Sequence, residues 1–375
     1  MSKPVRNIIE KSVFLGYSNA DSLTIFSAYS NPDRITVILS SYGYLNRRVY
    51  CRLFDEQKVE IFQEASVVFP EFTLKCNPEY HGKAKFVGVS INPKDRIAKI
   101  TPLVEYSDSQ PIYKFTICLA PIFGNSPKLY MVAEFLEFYK IQKADHFIVY
   151  LFEYSENVER FFKTYKDVEI VKIVSNSTKC VNRHRCRHEM QLQDCIFRSK
   201  NRSKFVGTVD LDERIWAKKN GSAIVDLLES SENYAEYRFQ CQWTLRYAEI
   251  QDDPKIYEEY RDIKLENVLP ILRWHNTSHV APQNHTSKSI VRPELVDSMG
   301  VHGVKKYSPK VHRSLKLVDP NKYVVRHYRL IEGWSYFLKE AEQFGNFTEF
   351  HPDLNFSKLL IDRVNNALTR FLKLI

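Results

Sequence analysis

The acidic run Asp210-Leu211-Asp212-Glu213 closes a short β-prone stretch that starts at Lys204, and it carries the strongest chemical signal in the chain. Phe205, Val206, Thr208 and Val209 are apolar or β-branched, with Gly207 among them, which reads as a buried strand of a parallel sheet. Ligands of open α/β sheets gather beyond the carboxyl ends of the strands. Two carboxylates one residue apart at such a place suit a hard divalent cation, which prefers oxygen ligands, and that cation would carry a phosphorylated substrate. An isolated Asp-x-Asp is more often an acidic turn, so the surrounding elements have to support the chemistry.

Those elements alternate. Phe115 to Ala120 reads as a strand, Pro121 to Asn125 as a loop, and Ser126-Pro127 as the cap and first-turn proline of a helix on which Leu129, Val132, Leu136 and Tyr139 keep helical spacing. Phe147 to Phe152 and Val168 to Val174 are further strands, and a helix from Arg187 to Arg198 leads into the acidic strand. Alternation of this kind predicts a mostly parallel sheet with helices on both faces. Beyond the acidic turn, Ala223 to Glu229 reads as a helix, Tyr234 to Trp243 as extended, and Ser289 to Arg292 as a strand followed by a short helix opened by Pro293. The expected organisation is an N-terminal extension over 1–21, a β-rich module over 22–110, an α/β catalytic domain over 111–332 and a helical segment over 333–375.

Composition excludes several classes. The 375 residues give ample core, and 44% hydrophobic with 26% charged residues is ordinary for a globular chain. Only 11 glycines are present, and neither a dinucleotide fingerprint nor a P-loop occurs. The formal net charge of +9 is dispersed apart from Lys179 to Arg187 and Arg198 to Lys204, with no zinc-finger or RNA-recognition signature, so no nucleic-acid partner is expected. Cys180, His184, Cys186 and His188 match no structural zinc spacing, and disulfides plus one free thiol account better for the 7 cysteines of a secretory chain. Sequons at Asn176, Asn201, Asn220, Asn276, Asn284, Asn346 and Asn355 favour a lumenal chain. No signal peptide and no run of about 18 apolar residues is read in it.

Ala133 to Glu153 (AEFLEFYKIQKADHFIVYLFE), Gln191 to Ile215 (QLQDCIFRSKNRSKFVGTVDLDERI), Lys288 to Val304 (KSIVRPELVDSMGVHGV) and Val324 to Arg329 (VVRHYR) together resemble glycosyltransferase family 92, as do Phe26 to Arg34 and Tyr50 to Phe54. The family includes β-1,4-galactosyltransferases and is abundant in nematodes. The resemblance implies a GT-A-type nucleotide-sugar-binding sheet whose Asp-x-Asp binds Mn²⁺ and the donor diphosphate. It further implies UDP-galactose as donor, a glycan acceptor, inversion at the anomeric carbon, and a membrane-anchored Golgi enzyme; the anchor is not seen in this chain.

On that resemblance Asp212 is expected to ligate the metal, and Asp210 to share it or to contact the donor ribose, with Glu213 a supporting carboxylate. His302 is the candidate for a further metal ligand, with His327 competing or sitting near a phosphate beside Arg329. Pro121 and Gly124, in the loop after the first strand of the sheet, would cradle the uridine, and Arg187 with Arg183 would face the diphosphate. Asp194 either buttresses the site or serves packing, and Cys195 is buried or in a disulfide. The general base that an inverting transfer needs is expected among the carboxylates between Glu232 and Asp253, with Glu236 and Glu249 as candidates. Trp243 and Trp274 stack on sugar or fill the core. Two other readings stand beside this one: an aspartyl-nucleophile phosphatase, and a non-catalytic glycan-binding protein on a transferase fold.

Overall fold

The structure is a computed structural model that describes residues 23–97, 99–105, 110–124, 128–174, 183–219, 221–231, 234–250, 253–255, 257–331 and 335–374. The fold is α/β, with a β-rich module before it and helices after it, as expected. The module consists of two four-stranded sheets running from Ile25 to Glu105. Their apolar faces enclose Val37, Leu39, Leu53, Leu74 and Val87, and the Cys51–Cys76 disulfide joins one sheet to the other.

The central sheet begins with β1 (Tyr113–Ile122), followed by α1 (Leu129–Ile141), β2 (His146–Leu151), α2 (Glu156–Lys163), β3 (Val168–Lys172), α3 (Arg183–Ser199) and β4 (Ser203–Val209). Strands β3, β2, β1 and β4 lie side by side and parallel. Then the direction changes. The other neighbour of β4 is antiparallel, so the strand that ends in the acidic run is flanked by parallel pairing on one side only. Strand β1 also outlasts its apolar run. The pairing slips between Val149/Leu119 and Leu151/Ile122, and this bulge admits Pro121, which has no N–H to donate. Pro121 therefore lies in the strand, and the loop starts at Phe123. Helix α3 starts one turn before Arg187, and 175–182 lie outside the described residues.

The second half of the chain adds β5 (Glu213–Ala217), β6 (Glu236–Phe239), β7 (Cys241–Arg246), β8 (Lys288–Val291) and β9 (Tyr323–Leu330). The run expected to be extended from Tyr234 to Trp243 breaks at Gln240: β6 joins the central sheet through β8, whereas β7 joins a second sheet with β9 and β5. Helix α1 is buried from Leu129 to Tyr139, because the sheet covers one face and α4 (Leu354–Leu372) covers part of the other. No helix among the described residues is long and apolar enough to cross a membrane.

Asp194 answers one open question. It is fully buried on α3 and accepts from Ser27 and Tyr29 of the N-terminal module, from Tyr150 of β2, and from Arg198 one turn along at 2.9 Å. It is a packing residue that fastens the module to the α/β domain. Next to it Cys195 is disulfide-bonded to Cys118 of β1, which ties α3 to the sheet.

His146, at the start of β2, stacks on Tyr113 with ring centroids 3.9 Å apart. Burial pushes its pKa down to about 4, and the nearby Glu169 only partly opposes this. Because the folded value lies below the unfolded one, the unfolded chain takes up the proton first. The contribution is intact above about pH 6.5 and is lost as pH falls toward 4. A shift of this size is worth on the order of 3 kcal/mol. His146→Gln is expected to flatten this part of the stability profile, read as the urea midpoint at pH 7 and at pH 5. Equal slopes in the two proteins would rule the account out.

Candidate functional site

The acidic run occupies the turn between β4 and β5, and the turn is fixed from several sides. The Asp210 N–H donates to Glu213 Oε2 at 2.9 Å, and the Glu213 N–H donates back to the Asp210 carbonyl at 3.1 Å. The Tyr328 N–H of β9 donates to the Asp212 carbonyl at 2.8 Å. From behind, the buried Arg214 guanidinium donates to the carbonyls of Leu211 and Glu213 and pairs with Glu134 of α1 at 2.8 Å. The carboxylates of Asp210 and Asp212 thus project from a backbone with little freedom to move.

Register brings the counter-charges. Strand β8 runs antiparallel to β4, with Gly207 opposite Ile290, so the amino end of β8 lies at the carboxyl end of β4. That places Lys288, whose Nζ is 2.9 Å from Asp210 Oδ2 and 3.1 Å from Glu213 Oε2. Gly207 itself is needed for close packing, since a Cβ there would meet Ile117 at 3.1 Å. Strand β9 pairs His327 with Glu213, and the ring's Nε2 lies 3.2 Å from Asp212 Oδ2. From α3, His188 Nε2 comes within 3.7 Å of Asp210 Oδ1.

These neighbours decide the charge states. Burial pushes the Asp212 carboxyl up, but His327 outweighs it, and Arg246 and Arg329 add to the pull, so the group is held well below the usual range. For Asp210, Lys288 and then His188 outweigh burial in the same direction. Glu213 goes the other way, because burial and the Asp210 charge prevail over Lys288. Burial works against the His327 cation, yet Asp212 raises its pKa well above the ordinary value. Both aspartates are therefore anionic at neutral pH, each with one oxygen committed to a cationic side chain.

His302 sits in the turn between the strands Val296–Gly300 and Gly303–Tyr307. A carbonyl only accepts, so the 3.1 Å contact makes Nδ1 the donor to Ser287 O and leaves a lone pair on Nε2. Burial and then Lys288 lower its pKa, which keeps the ring neutral. The expected set of Asp210, Asp212 and His302 does not close on one point: among the described residues no three His, Cys, Asp or Glu side chains converge to hold a metal ion. Lys288 takes one Asp210 oxygen, His327 takes one Asp212 oxygen, and Ser287 holds the His302 ring. What remains is Asp212 Oδ1 and Asp210 Oδ1, the latter 3.7 Å from His188 Nε2; the two would suit a hard cation that draws its other oxygens from a diphosphate and water.

The other expected residues divide. Pro121 is buried within β1 and lines no loop, whereas Gly124, at φ +78°, turns the chain just beyond that strand and donates to Glu153 at 3.3 Å. Arg187 is buried on α3, its guanidinium 3.7 Å from the Phe152 ring centroid at the end of β2. The Arg183 side chain lies outside the described residues, and so does Cys180. Cys186 is disulfide-bonded, which removes it from any zinc set. Glu236 is fully buried, and its oxygens accept from Arg238, Ser289, Tyr307 and the Val304 N–H. With those lone pairs used, it is a structural carboxylate and not a base. Glu249 is exposed beyond the end of β7, where its charge acts on Arg246, as that of Asp212 does. Trp243 is core against Phe344, and Trp274 lies buried between Arg246 and Arg273, so neither offers an open face to a sugar.

Lys288, His188 and Arg246 are the site residues that the pattern of the sequence did not single out for this role. Lys288 heads the apolar run of β8, and a lysine at that position means little until the strand is known to run antiparallel to β4.

The family model described as Glycosyltransferase family 92 matches residues 113–369, from β1 into α4. No curated protein matches. Among solved structures, HddC from Yersinia pseudotuberculosis is 11% identical at a TM-score of 0.32, covering 62% of this chain and 100% of that one. Glucosyl-3-phosphoglycerate synthase from Mycobacterium tuberculosis, in complex with Mn²⁺, uridine diphosphate and phosphoglyceric acid, is 10% identical at 0.27, covering 69% and 78%. Likenesses at these scores carry no argument about this chain.

Proposed function

This chain belongs to glycosyltransferase family 92, and on that premise we propose that it transfers a hexose, galactose from UDP-galactose, with inversion to a hydroxyl of a glycan acceptor. Asp212 and Asp210 would hold a divalent cation, Mn²⁺, through their remaining oxygens. Bound there, the cation would neutralise charge that develops on the departing diphosphate. The observation that supports the reading most is the pair of carboxylates kept anionic at the end of β4, each with one oxygen not taken by Lys288 or His327.

The chain's own residues do the rest. His327 and Lys288 keep Asp212 and Asp210 ionised and aimed. The Gly124 turn and Arg187, beyond the ends of β1 and β2, would be the groups to meet the uridine and its phosphates. Glu249, exposed beyond β7, is the candidate to take the proton from the acceptor hydroxyl. The Cys51–Cys76 and Cys118–Cys195 disulfides suit an oxidising compartment, in keeping with a Golgi lumen.

The purified chain would be given UDP-galactose, UDP-glucose and UDP-N-acetylglucosamine over a glycan array, with Mn²⁺ or with EDTA. UDP release that depends on both the cation and an acceptor, fastest with UDP-galactose, is the expected result. Absence of UDP release from every donor would overturn the assignment, and a different preferred donor would overturn the galactose part of it.

A further inference from the structure

The acidic cluster contains a cation of its own. Lys288 is 2% exposed, and its ammonium reaches both Asp210 and Glu213 while leaving Asp212, and Asp210 Oδ1 with His188 Nε2 3.7 Å away, outside its reach. Burying these charges is costly, and close pairing offsets the cost only while every partner is present. The arrangement has a consequence for any divalent ion. Without an ammonium between them, Asp210, Asp212 and Glu213 would offer several carboxylate oxygens within one turn, which is what a hard cation binds best. An ion drawn inward would have its coordination filled by protein, with little left for a diphosphate.

Resting on the reading of Asp212 as a cation ligand, we propose that Lys288 is a positioning residue: it fills the inner half of the cluster and keeps a divalent ion at the outer edge formed by Asp210 Oδ1 and Asp212 Oδ1, where a nucleoside diphosphate can share it. The Asp210 carboxylate at the edge is thus already matched by an ammonium before any ligand arrives. The bare ion is attracted weakly, and the negative diphosphate is needed to bring it in. The strand start that carries Lys288 is held by its neighbour, since Ser287 exchanges hydrogen bonds with His302 through its hydroxyl and its carbonyl.

The test measures Mn²⁺ binding to the full chain, by the electron paramagnetic resonance signal of the free ion, with and without UDP. Wild type is expected to bind the ion weakly alone and much more tightly with UDP. Lys288→Met is expected to bind the bare ion at least about tenfold more tightly than wild type, to gain little from UDP, and to lose transfer activity. General damage to the fold does not raise affinity for a bare ion, so the gain separates positioning from mere support. Where Lys288→Met does not fold, the double variant Lys288→Met/Glu213→Gln carries the same comparison, because Asp210 is still released. A folded variant with no gain in bare-ion binding, beside a wild type that binds Mn²⁺ with UDP, overturns the role of Lys288 alone. A wild type that takes up no Mn²⁺ under either condition overturns the cation reading and the role of Lys288 with it.

Discussion

Asp212→Asn is expected to reduce transfer by at least about a thousandfold, the scale seen when a preorganised electrostatic contact to a developing charge is removed. The substitution keeps the shape of the side chain and an acceptor for His327 Nε2, which lies 3.2 Å from the carboxylate. What it removes is the charge that His327, Arg246 and Arg329 hold ionised. The effect should appear in kcat at saturating UDP-galactose and Mn²⁺, and in the loss of UDP-dependent Mn²⁺ binding. A smaller effect on stability follows from the same shift. Because the folded carboxyl is held below its unfolded value, it contributes stability above the unfolded range and loses it as pH falls through the folded one. The variant should therefore melt somewhat lower at pH 7 and approach wild type in acid. A variant that keeps more than a tenth of wild-type kcat removes Asp212 from the reaction.

Much of this site was legible before the structure, and the reason is local. An apolar β-branched run that stops at two carboxylates is a contiguous signal, and the strand-helix alternation around it implies a sheet whose strand ends face one way. What could not be read depends on pairing between distant segments. Lys288 reaches Asp210 only because β8 runs antiparallel to β4, and His327 reaches Asp212 only through the register of β9 on β5. The same cause misplaced Glu236. As a carboxylate soon after the acidic turn it looked available, but β6 enters the central sheet beside β8 and draws it into a buried network with Arg238, Ser289 and Tyr307. Pro121 looked like a loop residue because proline normally interrupts a strand, and a bulge against β2 admits it.

Removing Glu236 from consideration makes Glu249 the sharper test of the chemistry. Glu249→Gln is expected to lower kcat by about a hundredfold to ten-thousandfold, the usual contribution of a positioned general base, with KM for UDP-galactose little changed. The side chain is exposed beyond β7, so a neutral isostere there should move the melting temperature hardly at all. Its charge and that of Asp212 both act on Arg246, a side chain buried against Trp274. The split between kcat and KM is the discriminating readout: the variant should lose kcat while its KM for UDP-galactose and its UDP-dependent Mn²⁺ binding stay near wild type. Glu236→Gln is the matched control. It breaks a buried charge network and should cost stability, yet the molecules that remain folded should turn over at the wild-type rate. If instead Glu236→Gln abolishes turnover in folded protein while Glu249→Gln leaves it intact, the base lies on β6 and the buried network around it must open during the reaction.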